Sequence, residues 1–104
     1  MTIAETCAHL AEVYFAFVED ILAGRRHEWG TRQANDPSWP AIWHEAHYLR
    51  EKAIQALDLD PSDHNLNLAA IYIFAHDFYH VGQMCQTRIS IDPGWDPYSI
   101  YPPD

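Results

Sequence analysis

His76 and His80 stand four residues apart in a stretch that reads as helix. Four residues on an α-helix amount to about 40° of rotation and about 6 Å of rise, so the two imidazoles leave one face, one above the other. Two rings so placed can converge on a single divalent ion, as helical histidine pairs of zinc enzymes do. Their helix is the most apolar of the chain, and a buried imidazole costs free energy unless each ring nitrogen has a partner. A metal supplies one partner per ring and a neighbouring acceptor the other. The alternative at this level is a pair of core histidines bonded to backbone carbonyls or to Asp77.

A third ligand has to come from another helix. His9 falls between the apolar positions Val13 and Ala16 and the acidic positions Glu5 and Glu12, a boundary from which a side chain can reach the mouth of an interhelical pocket. Taken alone, His9 reads as a surface histidine. Joined to His76 and His80 it completes a three-histidine set that leaves coordination positions open for water or substrate. Three neutral imidazoles leave a divalent ion its full charge, enough to turn a bound water or thiol into a nucleophile. Such a set suits zinc, nickel and other late divalent ions alike. Glu5 and Glu12, a turn or less from His9, could act as a base or support a ligand; the plainer reading is a solvated helix face. Gln83, near His80, could bond a ligand or a backbone carbonyl.

The remaining histidines, of seven in all, read as non-ligands. His27 and His64 sit in polar segments and are expected in solvent. His44 shares its face with Tyr48, Glu51 and Gln55, and His47 lies at the boundary beside Trp43 and Ile54. His44 and His47 could share an ion only on an outward face. Cys7 is about 200° round the helix from His9 and Cys85 about 140° from His80, so neither thiol can join its neighbour's ligand set. Both read as reduced core cysteines, without a CxxC spacing, in a cytoplasmic protein.

Three long helices must position these groups. In the first, from about Thr2 to Ala23, residues Ile3, Cys7, Leu10, Tyr14, Phe17 and Ile21 recur at steps of three and four and form one apolar face. Gly24 ends it, and Arg25 and Arg26 complement the negative end of its dipole. His27 to Asn35 reads as a loop. The second helix, from about Ser38 to Leu57, has the stripe Ile42, Ala46, Leu49, Ala53 and Leu57, widened by Trp43 and Ile54, with Pro40 tolerated in its first turn. Asp58 to Asn65 reads as a linker. The third helix, from about Leu66 to Ile89, is apolar over much of its circumference and is expected at the centre of the bundle. Asp92-Pro93-Gly94 ends it. The tail from Trp95 to Asp104, rich in proline and aromatic residues, is expected to be extended and packed over a helix. No strand alternation or internal repeat is visible.

The 104 residues bound a single domain, 1–104, of the size that gains from oligomerisation or a bound metal. A formal charge of −9 argues against binding to nucleic acid or to an anionic membrane surface. No leading basic and apolar run suggests a signal peptide, and no apolar stretch is long enough to span a bilayer.

The run Ala75-His76-Asp77-Phe78-Tyr79-His80-Val81-Gly82-Gln83-Met84 resembles the signature H-x-x-x-H-x-G-Q of the DinB-like, or damage-inducible, helical-bundle proteins. The context Ala8-His9-Leu10-Ala11 is similar to their first metal-histidine helix, Ser38-Trp39-Pro40-Ala41-Ile42 to the start of the helix after it, and Gly94-Trp95-Asp96-Pro97-Tyr98 to their tail. The resemblance covers nearly the whole chain. It implies an up-and-down all-α bundle reduced to three long helices, a metal site of His9, His76 and His80 holding nickel or zinc, a cytoplasmic location and a homodimer. For some relatives it also implies S-transfer with a low-molecular-weight thiol such as bacillithiol or mycothiol. The family pattern has a further long helix ahead of the one with the first histidine. Without it, Ile3, Leu10 and Tyr14 are expected to lose part of their cover and to line a groove buried by a second subunit or by altered packing.

Overall fold

A computed structural model describes residues 2–32 and 36–101. Among these residues the chain is all-α, with no strand. Helix α1 spans Ile3–Ala16 and continues as a π-helical segment, Phe17–Ile21. Helix α2 spans Trp39–Leu59. The third long helix is built of α3, Asp63–Ala69, a π-helical segment, Ala70–Ala75, and α4, His76–Ile91.

The ends follow from local chemistry. Thr2 caps α1 with a capping box: the Glu5 amide donates to Thr2 Oγ1 at 3.0 Å, and the Thr2 amide to Glu5 Oε1 at 3.3 Å. The chain reverses at Gly24, whose φ of 73° is left-handed and suits glycine. Arg25 donates to the Glu19 carbonyl and lies against Asp20, as the cap reading requires of it. Ser38 precedes α2, with Pro40 in the first turn. The linker before the third helix is shorter than expected. Ser62 Oγ accepts the Asn65 amide at 3.1 Å, and the Asn65 side chain donates to the Asp60 carbonyl at 2.9 Å, so Asp63, His64 and Asn65 form a first helical turn.

The central helix is α1 and not the third. Cys7, Leu10, Tyr14, Val13, Ala16 and Phe17 are all buried, and so are Thr6 and Glu12. The two polar residues hid this in the sequence, and both are satisfied where they lie: Thr6 donates back to the Thr2 carbonyl at 2.9 Å, and Glu12 is bonded to a loop described below. Leu10, Tyr14 and Phe17 pack with Ala53 of α2 and with Ala69 and Ile73 of the third helix. Leu10 and Tyr14 are therefore mostly covered, although both still line the groove described next.

The apolar third helix lies at the side. Ile71, Phe74 and Phe78 are exposed, Phe78 by 76%. Phe74, Phe78, Val81 and Gly82 line a groove of about 680 Å³ floored by Cys7, Leu10 and Tyr14. Trp43, 51% exposed, stands on its rim and does not extend the buried stripe of α2. The tail also departs from an extended form. Asp96 caps a 3₁₀ turn, Pro97–Ile100, by accepting the Tyr98 amide at 2.9 Å, and Ile100 and Tyr101 reach the groove. The tail's end, Pro102 to Asp104, and Gln33 to Asn35 of the loop lie outside the described residues. No helix among the described residues is long and apolar enough to cross a membrane.

Candidate metal centre

The packing of α1 against the third helix brings His9 to His76 and His80. One donor atom from each ring can be chosen so that all lie within 4.8 Å of one another. Among the described residues this is the only such group of histidine, cysteine or carboxylate donors. The ring centroids are 5.2 Å apart for His9 and His76, 4.9 Å for His9 and His80, and 4.3 Å for His76 and His80. Each pair meets nearly edge to face, at 75°, 70° and 86°. The near-perpendicular packing of the three rings leaves one donor atom of each close to those of the other two.

The π-helical segment Ala70–Ala75 ends at the first of the two histidines on α4. Such segments occur often at functional sites, because the extra residue in a turn resets the face on which the following side chains emerge. His80 is buried, while His9 and His76 are half-buried. Burial holds the His9 and His76 rings below the usual histidine range, and proximity to His80 adds to this. Both imidazoles are then neutral near neutral pH, the state in which they can ligate.

The hydrogen bonds separate a metal site from a pair of packed core histidines. Among the described residues, neither His76 nor His80 bonds a backbone carbonyl. Asp77 also leaves them alone: it accepts the Tyr14 hydroxyl on Oδ1 at 2.6 Å and Arg50 Nε on Oδ2 at 3.0 Å. The two rings face each other instead, Nε2 to Nε2 at 2.9 Å, and His76 Nδ1 is buried without a partner. A core histidine kept for packing would have both nitrogens paired, since an unpaired buried one costs about 1–3 kcal/mol. Three converging imidazoles with spare donor capacity fit a divalent ion, whose nitrogen ligands at about 2.0–2.1 Å stand roughly 3.3 Å apart in a tetrahedral site.

The carboxylates expected nearby are used elsewhere. Glu5 is held in the α1 cap, where its carboxylate accepts the Thr2 amide, and its bonds with Thr2 keep the carboxyl below the usual range. Glu12 turns away from the ring cluster. It accepts His27 Nε2 at 2.9 Å and the Gly30 amide at 3.0 Å, with the Arg32 amide at 3.4 Å. Burial opposes its charge, but these donors outweigh burial and hold its carboxyl low. Gln83 does meet the site: its side-chain oxygen lies 2.6 Å from His80 Nδ1.

His44, His47 and His64 stay exposed, His47 against the Trp43 ring at 4.3 Å. Cys7 is buried, its Sγ 4.0 Å from Met84 Sδ, and burial pushes its thiol up. Cys85 is half-buried at the groove. His27 corrects the expectation of a solvated loop residue. Its side chain is 6% exposed, with Nδ1 2.7 Å from Asp20 and Nε2 on Glu12. Glu12 and Asp20 are eight apart, about two turns along and roughly 80° round the helix, close enough for one ring to reach both, and the reversal at Gly24 folds residue 27 back beside them. That spacing is the signal in the sequence that could have found it.

The chain matches no protein-family model, no curated protein and no solved structure.

Proposed function

We propose that this chain is a DinB-like metal-binding bundle in which His9, His76 and His80 hold a divalent ion, zinc or nickel. The observation that carries the reading is the convergence of three imidazole donors, from two separate helices, within 4.8 Å. The similarity of residues 75–84 to the family signature supports it independently of the geometry. The unpartnered His76 Nδ1 and the absence of carbonyl partners speak against a purely structural triad.

Such an ion would supply Lewis acidity, drawing a thiol or water in an open position towards its ionised form. The protein's own groups favour the thiol. Hydrolysis gains from a carboxylate base, and both candidates, Glu5 and Glu12, are committed to a cap and a loop. A thiol ionises far more readily than water and needs no such base. The proposed activity is therefore S-transfer from a low-molecular-weight thiol to an electrophilic substrate. The second reading is a bundle that binds metal and a small ligand without turnover, and the same committed glutamates favour it.

In either reading a second copy covers the exposed stripe. Ile71, Phe74, Phe78, Gly82, Cys85 and Ile89 follow one another at steps of three and four and carry no charge, so two acidic chains could meet there without burying a carboxylate.

Metal analysis of untagged protein, before and after incubation with zinc or nickel, tests the site. About one ion per chain is expected, lost in the triple His9, His76 and His80 to Ala variant and kept in His44→Ala. Failure of the wild type to take up either metal overturns the proposal. Thiol consumption with electrophiles, with and without chelator, separates transferase from binder.

A further inference from the structure

Gln83 stands almost one turn beyond His80 on α4. Its amide nitrogen donates to the Tyr79 hydroxyl at 3.2 Å, and its amide oxygen lies 2.6 Å from His80 Nδ1. An amide oxygen can only accept, so Nδ1 must carry the proton. A neutral imidazole has one proton to place, and His80 Nε2 is therefore left with its lone pair. That lone pair faces His76 Nε2 at 2.9 Å. Two lone pairs cannot meet at this distance, so His76 Nε2 carries the proton between them. His76 Nδ1 then holds a bare lone pair, and it is the one buried side-chain polar atom without a partner among the described residues. The two histidines are thus not equivalent. One is set by a neighbour on its own helix, and the other has no such neighbour.

The geometry points to Gln83 as a positioning residue that fixes His80 in the Nδ1–H tautomer and so presents Nε2, preformed, to the ion. This rests on the metal reading above and adds to it a division of labour: His80 is the preset ligand and His76 the adaptable one. Free histidine favours the opposite tautomer, with the proton on Nε2, so a protein that needs Nε2 as a donor atom gains by holding Nδ1–H. Partners of this kind typically change metal affinity 10- to 100-fold. Tyr79 is consistent with the arrangement, its hydroxyl accepting from the amide nitrogen.

The test has an arm without metal and an arm with it. In metal-free, ¹⁵N-histidine-labelled protein, at a pH where the imidazoles are neutral, long-range ¹H–¹⁵N correlations report the tautomer of each ring. His80 is expected as Nδ1–H in the wild type and displaced towards Nε2–H in Gln83→Leu. Gln83 is exposed, so the Leu variant is expected to fold, and circular dichroism checks this. In the second arm, competition with a chromophoric chelator measures zinc and nickel affinity. Gln83→Leu is expected to lose about 10- to 100-fold, and Gln83→Glu, which keeps an oxygen acceptor, to recover the loss. Tyr79→Phe is expected to fall between, because the acceptor remains but its orientation is freed. An Nε2–H tautomer at His80 in the wild type overturns the inference, and so does Gln83→Leu with unchanged tautomer and affinity. If the wild type binds neither metal, the metal reading fails while the tautomer arm still decides what Gln83 does.

Discussion

His27 lies with both ring nitrogens against carboxylates, Nε2 at 2.9 Å from Glu12 and Nδ1 at 2.7 Å from Asp20. A neutral ring would turn a lone pair towards one of the two, so the arrangement holds the imidazolium. Burial works against that charge, but Glu12 and Asp20 outweigh it and raise the ring above its ordinary value of 6.5. Because the folded value lies above the unfolded one, the stabilisation is complete below about 6.5 and is lost as pH rises through the raised value. At the acid end, the lowered Glu12 and Asp20 lose their contribution as pH falls below their ordinary values of 4.5 and 3.8. The lowered His9 and His76 act below 6.5 with the opposite sign to His27, and the raised Cys7 thiol and Tyr14 phenol act only above their ordinary values of 9.0 and 10.0, so a decline that sets in between 6.5 and 9.0 is assignable to His27. Urea unfolding of the metal-free protein is expected to show that decline in the wild type and not in His27→Gln. The variant should also be about 1–3 kcal/mol less stable near pH 6. A variant that keeps the decline would show that the ring is not the group responsible.

The carboxylate of Asp77 joins α1, α2 and α4 through Tyr14 and Arg50. Burial and then the Asp77 bond raise the Tyr14 phenol well above the usual tyrosine range. Tyr14→Phe keeps the ring in the core and removes only the hydroxyl, leaving a largely buried carboxylate with one partner fewer. The expected cost is about 1–3 kcal/mol in chemical denaturation. It should come with little change in metal uptake, since Asp77 bonds neither histidine. Unchanged stability would mean that the carboxylate finds water or a rotated Arg50 in place of the phenol.

These two clusters mark where the sequence stops being readable. Helix spans and the stop at Gly24 depend on periodicity and local capping, which a single sequence displays, whereas joining His9 to His76 and His80 rests on the boundary position of His9 and on the family resemblance. Burial of Glu12 and His27 depends on which side of α1 the returning loop takes, and Tyr14 to Asp77 on the relation of helices 63 positions apart. The same limit explains the exchange of places between α1 and the third helix. Hydrophobicity round a helix reports what it could bury. Whether partners surround it is decided by tertiary packing, and here α1 buries Thr6 and Glu12 while Phe78 stays outside.

The exposed stripe on the third helix should report a second copy directly. Phe78 is 76% exposed, and a change to Ser removes apolar surface from the stripe without opening a cavity. If two copies pair there, sedimentation of Phe78→Ser should shift from dimer towards monomer, while the stability of the isolated chain changes by less than about 0.5 kcal/mol. A wild-type protein that sediments as a monomer at every concentration would rule out the homodimer.

Ligand binding to the folded state alone raises stability by mass action, so the metal should be visible in thermal unfolding without any assay of activity. At a free zinc or nickel concentration 100 times the dissociation constant, the gain is about 2.7 kcal/mol. For a domain of this length that corresponds to a rise in Tm of roughly 10–20 °C. His9→Ala, His76→Ala and His80→Ala should each lose most of the rise, because each removes one of three donors. His44→Ala and His64→Ala should keep it, since both residues stand exposed and apart from the cluster. The rise should also shrink as pH falls below the histidine range, because protons compete for the nitrogens the ion needs. Should His44→Ala abolish the rise and His9→Ala preserve it, the ion would be held on the outer face of α2, and the convergence of α1 with α4 would be a packing feature alone.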